Sequence, residues 1–417
     1  MQIRTLIATL LIGAGCVDGA VGTADSHIPE WSATAELVIG NPQAAEYRFL
    51  EPTTLLQTEG GEILTLHAKE RRIRAFDPGG RFLRDVAGPE ALSAPVRMDI
   101  RGDTAWVLDQ GPSREFRGFR ISDGAAEGRL PAAERNAYGA APEVEPPVRA
   151  VGILPDGTYL AMPHAAARDH VKKLHTDRVF LRMTRDGLIL DTLAVLTSAR
   201  STIGFPTSDG TGGVYSAQPF GDDPIFAVSP TADLVFVLHR QVPPAGDPGP
   251  SPRFRLLART FAGETRLDRD YTYSPVPLPN AWVRQAVRSW QAVLGMAYSH
   301  SEPLIRERLY VPTHQPSISE MKIGADGRIW LRRWDVTAAP MSYGLARWAP
   351  DQAQWLVLSP NGELLGSLQL PTHVRWLHAD RTKLWGTYSD LHDGAKIIRY
   401  RLCAHPDPSE LSCPRDS

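Results

Sequence analysis

Three histidines and three other polar side chains stand at comparable places in this chain. His67, Asp109, His164, His239, Arg333 and Tyr388 each close, or directly follow, a short β-rich run. Imidazoles gathered from distant parts of a sequence bind zinc tetrahedrally, with water as the fourth ligand. Zinc held in this way turns the water into a nucleophile, the chemistry of metal-dependent hydrolases and lyases. Without a metal the same six residues suit a binding face, and histidines at strand ends also serve simply to satisfy backbone groups. A zinc or calcium ion is compatible with the set and is not required by it. A second set is charged. Arg97 and Asp99 share one strand face by period two, as do Glu320 and Lys322, with Arg149 and Arg375 in comparable strands. Such groups either pair along a water-filled channel or hold a ligand there. His170, Lys172, Lys173 and His175 form a basic span that suits an anionic partner or a solvated loop.

The signatures of several other chemistries are missing. The sequence contains no G-x-S-x-G elbow, no Walker loop, no H-E-x-x-H and no C-x-x-C. The glycine-rich stretch 209–213 has no β-α unit around it and reads as a loop. Lys plus Arg number 45 and Asp plus Glu 47, a net charge of −2, and the pI is about 6.6. That balance offers no basic face for nucleic acid.

A repeat must position these side chains. A small or polar turn, a five-residue β-rich run and a polar corner recur as Gly61-EILTL-His67, Asp103-TAWVL-Asp109 and Gly157-TYLAM-Pro163. They return as Asp233-LVFVL-His239, Gly327-RIWLR-Arg333 and Thr382-KLWGT-Tyr388. The runs are apolar at both parities, as in strands covered on both faces. A partner strand precedes each run, at 53–58, 96–101, 149–154, 225–229, 318–323 and 374–379. Two more follow where the pattern is clearest, as in RRIRAF, a turn and RFLRDV over 71–86. Four antiparallel strands make a propeller blade, and the shorter spacings between runs match blade periods of ~40–50 residues.

Longer spacings hold insertions. One is the Pro- and Gly-rich loop 242–252. Another is an amphipathic helix at 281–296, which Asn280 can cap. Trp282, Val283, Ala286, Val287, Trp290, Val293 and Leu294 line one stripe of it, suited to packing on the propeller rim. The last unit ends at 397–402 without a fourth strand, and a spare strand, TAELVI at 34–39, precedes the first unit. Pairing the two would close the ring and hide two sheet edges. The pattern therefore predicts an all-β chain, a six-bladed β-propeller over 33–403 closed by an N-terminal strand, with one inserted helix. In such a ring the six corner residues would surround the axis on one face.

The ends of the chain point to export. Residues 1–16 combine Arg4, an apolar run at 5–14 and Gly15-Cys16, a signal peptide with an imperfect lipobox in which Cys16 would be lipidated. Residues 17–32 read as a linker and 404–417 as a tail. Cys403 and Cys413 bracket a short Pro-, Asp- and Ser-rich loop and would pair in an oxidising compartment, stapling that tail.

RRIRAFDPGGRFLRDVAG, at 71–88, resembles the NHL-repeat pattern, in which RI-x-V-F-D-x-x-G-x-F recurs. LVLSPNGELLGSLQLP, at 356–371, is similar to bacterial six-bladed propeller lipoproteins and TolB-like propellers. The resemblance implies the fold and leaves function open, because the architecture hosts binders, lactonases and lyases alike. Amidating lyases of NHL type hold zinc by histidines near the axis. A gluconolactonase-type site would need Glu, Asn and Asp on a divalent cation, and no Asn stands at a matching position here. The expectation is an envelope-associated module, exported to the periplasm or cell surface, that binds a protein, peptide or glycan on its corner-loop face. Its contact with membrane would run only through a lipidated N-terminus. The alternative is a metal-dependent hydrolase or lyase centred on the axis.

Overall fold

The computed structural model describes residues 22–23, 28–50, 52–112, 114–131, 134–135, 148–163, 178–197, 202–206, 213–240, 252–294, 302–333, 352–390 and 394–404. The β-rich runs of the sequence are strands because they are covered on both faces. Every residue of Ile63–His67 is buried, as are Ile329, Trp330 and Leu331. Several of the turns ahead of them hold a glycine at positive φ, with Gly61 at 83° and Gly157 and Gly327 at 80°. A side chain would be strained there.

Each run is the second strand of an antiparallel meander of four. Sheet I comprises Pro52–Gln57, Ile63–His67, Arg72–Phe76 and Phe82–Ala87, and sheet II Pro95–Arg101, Thr104–Asp109, Glu115–Arg120 and Ala126–Pro131. Sheet III holds Val148–Ile153, Tyr159–Pro163, Arg178–Met183 and Ile189–Leu196, with Glu134–Arg135 added beside its first strand. Sheet IV holds Ile225–Val228, Leu234–Arg240, Arg253–Thr260 and Thr265–Thr272. The expectation of six separate blades is not met. The last two meanders form one eight-stranded sheet, V, in which Glu30–Ile39 lies between Leu364–Pro371 and Gly394–Ala404. The fusion has a local cause. The N-terminal strand begins at Glu30, inside the expected linker, and its first two residues pair parallel with Ser367 and Leu368. The rest, from Trp31 to Ile39, pairs antiparallel with the chain's last strand, as the spare-strand argument required. Gly22–Thr23 also pairs parallel with the outer strand of sheet IV. The N-terminal segment thus covers outer edges that would otherwise offer unpaired backbone groups.

Arginine joins neighbouring sheets. Arg84 of sheet I donates to the Ile121 carbonyl beyond sheet II's third strand (2.9 Å), and Arg101 of sheet II to the Ile153 and Leu154 carbonyls of sheet III (2.9 and 3.3 Å). Arg178 of sheet III reaches the Pro224 carbonyl at 2.9 Å, Arg269 of sheet IV the Gly362 carbonyl at 2.9 Å, and Arg399 of sheet V the Pro78 carbonyl at 2.7 Å. A guanidinium has five donors on a planar fork and remains charged when half-buried, which suits it to bridging carbonyls that no strand can pair.

The insertions build a separate small core. Helix α1, Asn280–Leu294, starts at the residue read as its cap, and a second helix, α2, Glu302–Arg308, was not anticipated. Seven residues are too few for a periodic stripe, and only Ile305 of α2 is buried. The apolar stripe of α1 packs within this small core. Ala286, Val287, Trp290 and Leu294 pack with Ile305, Leu309, Phe220 and the hairpin residues Ile203 and Phe205. That hairpin, Thr202–Pro206 with Gly213–Ala217, flanks the glycine-rich stretch, most of which lies outside the described residues, as does the loop 242–252.

Candidate functional site

The first strands of the meanders line a central cavity of about 1200 Å³. Every one of the five sheets contributes: Leu56 and Gln57 from sheet I, Arg97 and Asp99 to Arg101 from II, Val151 and Ile153 from III, Phe226 to Val228 from IV, and Met321 to Ile323 with His378 from V. The lining also includes the tight turns into the second strands, such as 58–60, 102–103 and 229–231. The cavity therefore sits towards the end of the molecule where the first strands finish. The second strands run back from that end, so their corners lie at the other.

Five of the six first strands carry a β-bulge against the second strand, at 52/54, 95/97, 150/152, 318/320 and 376/378. A bulge shifts the phase of every residue after it and re-aims side chains. This is how His378 comes to line the cavity although strict alternation from Arg375 skips it. Its imidazole is held below the ordinary value by burial, against the opposing pull of Asp380 and Asp326.

The charged pairs of the sequence are pairs in the structure. The Arg97 guanidinium grips Asp99 in two-pronged fashion, Nε to Oδ2 at 3.2 Å and Nη2 to Oδ1 at 3.3 Å. Lys322 meets Glu320 at 3.2 Å, with its ammonium 5.9 Å from the centre of the Trp376 ring. Glu62 and Arg84 meet at 2.7 Å. Another part of the wall is apolar. Phe180 and Phe226 stack at 3.8 Å with their planes 12° apart, where sheets III and IV face each other, beside Val151, Leu160 and Val228. Gly152 has its own reason to be glycine: a Cβ there would come within 3.0 Å of the Arg97 guanidinium, which packs on this backbone.

None of the corner residues among the described positions lines this cavity. Each is engaged where it stands. His67 is fully buried, its Nε2 2.7 Å from the Thr65 hydroxyl and its ring 4.8 Å from that of Phe49. Burial, aided by Arg74, pushes it down to about 3, so it is neutral. Asp109 accepts from the backbone N–H groups of Ser93 (2.8 Å), Ala94 (2.6 Å) and Gly111 (3.1 Å), closing the loop into its sheet. His239 lies opposite Arg255 across the strand pair, and burial, then Arg255, lowers its pKa. Arg333 donates to Gln354 Oε1 at 3.1 Å, and Tyr388 meets His373 edge-on at 4.6 Å. His164 and the basic span lie outside the described residues. Among the described residues no three His, Cys, Asp or Glu side chains gather as a metal site would require. Cys403 is disulfide-bonded, while Cys16 and Cys413 lie outside the described residues.

The class these features define is an all-β protein of propeller-like sheets around a central cavity. No protein-family model matches the chain, and no curated protein matches its sequence. Among solved structures it is similar to a member of the DUF4221 family from Bacteroides vulgatus, at 10% identity over 90% of this chain and 99% of that one, with a TM-score of 0.49. It is also similar to virginiamycin B lyase from Staphylococcus aureus (12% identity, 89% and 100% covered, TM-score 0.39). A third is a gluconolactonase from Xanthomonas campestris (13% identity, 90% and 97% covered, TM-score 0.39).

Proposed function

We propose that this chain is an exported binding module of the cell envelope, a ring of six four-stranded units that takes its ligand into the central cavity. The eight-stranded sheet counts as two units, because it contains two complete meanders joined by two residue pairs. The observation that carries the binding reading is the lining itself. Ion pairs set on strands share the lining with stacked aromatic rings, and such preorganised mixed walls are how proteins orient a ligand. Export is supported by the signal-like N-terminus and by the disulfide at Cys403, since such bonds persist in oxidising compartments. Cys413 is the proposed partner and Cys16 the proposed lipid site.

Two measurements test this. Purified protein is screened for ligands by thermal shift in the wild type and in Arg97→Ala; stabilisation that the substitution removes places the ligand in the cavity. Stoichiometric metal together with turnover of a lactone or ester, both lost in His67→Ala and His239→Ala, would replace the binding reading by a catalytic one. Peptide mapping of unreduced protein is expected to join Cys403 to Cys413, and a Cys403–Cys16 bond would exclude the lipid anchor.

A further inference from the structure

The cavity's chemistry narrows its ligand. The acidic and basic side chains around it are equal in number, four of each. Arg101 is spent on three carbonyls, those of Ile100, Ile153 and Leu154. Arg84 is held by Glu62 and by the Ile121 carbonyl. On the strands, the charged groups left to meet a ligand are therefore the Arg97–Asp99 pair and Lys322, each cation matched by a carboxylate two residues away on its own strand; Glu320, the partner of Lys322, stands beside the lining, and the remaining lining carboxylates, Glu59 and Asp103, lie in the turns. An anion entering would have to compete with Asp99 or Glu320, and a cation with Arg97 or Lys322. Neither gains a net field. A neutral molecule with neighbouring hydroxyls gains at both members of a pair, because a hydroxyl donates to the carboxylate while the next accepts from the guanidinium or ammonium. Between the pairs, the half-buried Phe226 offers aromatic surface to the apolar face of a ring.

We propose that the central cavity binds a neutral glycan, a short run of uncharged sugar rings, with hydroxyls on Arg97–Asp99 and on Lys322 and a ring face on Phe226. This rests on the binding reading above and deepens it. Gly152 acts as a positioning residue: the guanidinium of Arg97 lies on its bare backbone, so a methyl group there displaces Arg97 without altering any charge.

The test is calorimetric binding of maltotetraose, cellotetraose and N-acetylglucosamine tetrasaccharide, with tetragalacturonate and short Glu-rich and Lys-rich peptides as charged probes. Each is measured at low and high salt. The expected result is binding of at least one neutral saccharide with no salt dependence, since no net charge is neutralised. Phe226→Ala and Gly152→Ala each weaken it by about tenfold. Gly152 has an ordinary φ, so alanine there is expected to leave the melting temperature within a few degrees of wild type and to separate site from stability. If a charged probe binds instead, salt-dependently and weakened by the same variants, the neutral glycan is refuted and the cavity stands as a ligand site. If no neutral saccharide binds, or if both variants leave its binding unchanged, the glycan assignment falls; insensitivity of every bound probe to the variants removes the cavity as the site as well.

Discussion

Trp31 and Gly366 form the seam of the eight-stranded sheet, and their coupling can be measured. Trp31 is 6% exposed. Its ring meets Trp330 edge-on at 6.3 Å, and the Arg328 guanidinium lies 5.1 Å above it. It occupies the space that a side chain at Gly366 would need, since a Cβ there would overlap the indole. The Ser367 amide donates to the Pro29 carbonyl at 2.8 Å, one residue along the same seam. Trp31→Ala leaves a cavity, and buried Trp or Phe truncations cost about 3–5 kcal/mol. Unfolding entropy near 2.1 cal/mol/K per residue gives about 0.9 kcal/mol/K for a chain of this length, so a loss of about 4 kcal/mol lowers Tm by about 5 °C. Gly366→Ala, with no backbone strain, is expected to cost about 1–3 kcal/mol by overpacking against the indole. In the Trp31→Ala background the clash with the indole is gone while the contact with the Pro29 carbonyl, 2.8 Å from the added Cβ, remains, so the cost is expected to fall without vanishing. The double-mutant cycle then shows a coupling of about 1–3 kcal/mol. Chemical denaturation of the four proteins reads it. Additive losses would refute the seam and, with it, the account of why the last two meanders share one sheet.

Other outcomes follow from the same contacts. His67 has an ordinary value of 6.5 and is pushed down to about 3, so between those values the unfolded chain binds a proton that the folded chain does not. Its contribution is complete above pH 6.5 and is lost as pH falls toward 3, by about 5 kcal/mol in all; His67→Gln is expected to flatten the pH dependence of unfolding over that range. Arg101→Lys keeps the charge but cannot span the Ile153 and Leu154 carbonyls together, and is expected to cost about 1–2 kcal/mol in denaturant unfolding. The segment bearing the two helices leaves and returns through a narrow neck, where Pro277 bridges His314 and Leu278 donates to the Thr313 carbonyl at 3.1 Å. Replacing 280–311 by a short Gly-Ser linker is expected to keep the far-ultraviolet β signal and any cavity ligand, while exposing Phe205 and Phe220; loss of cooperative unfolding would show that the ring depends on this cap.

The fold was legible where local rules and burial agree. First strands 318–323 and 374–379 were read to the residue, because each is joined by a turn of explicit chemistry to a second strand whose apolar run is covered on both faces. The closing strand was legible from a missing partner, yet its start was not. Glu30 and Trp31 precede the alternating TAELVI, and a lone Trp in a presumed linker carries no periodic signal. The site was half legible. Period two found Arg97–Asp99 and Glu320–Lys322, which do face the cavity or pair beside it. It missed His378, because the bulge at 376/378 changes phase and no turn residue marks a bulge in the sequence. It placed weight on corner residues that the structure uses to hold loops and strands, Asp109 above all. Strand order alone does not say which end of a ring opens into a cavity.

The described second strands, such as those ending at Pro163, Arg240 and Arg333, finish at one end of their sheets, as do the fourth strands. At the other end the first strands pass to the second through turns as short as the two residues between Arg101 and Thr104. Length varies freely in loops, whereas strand ends and tight turns are fixed by the sheet that carries them. A ligand held among short turns meets groups that move little, and its binding loses less to ordering side chains and loops. The strand-built cavity is therefore suited to recognising one ligand geometry, and substitution at Arg97, Phe226 or Gly152 should change what is bound.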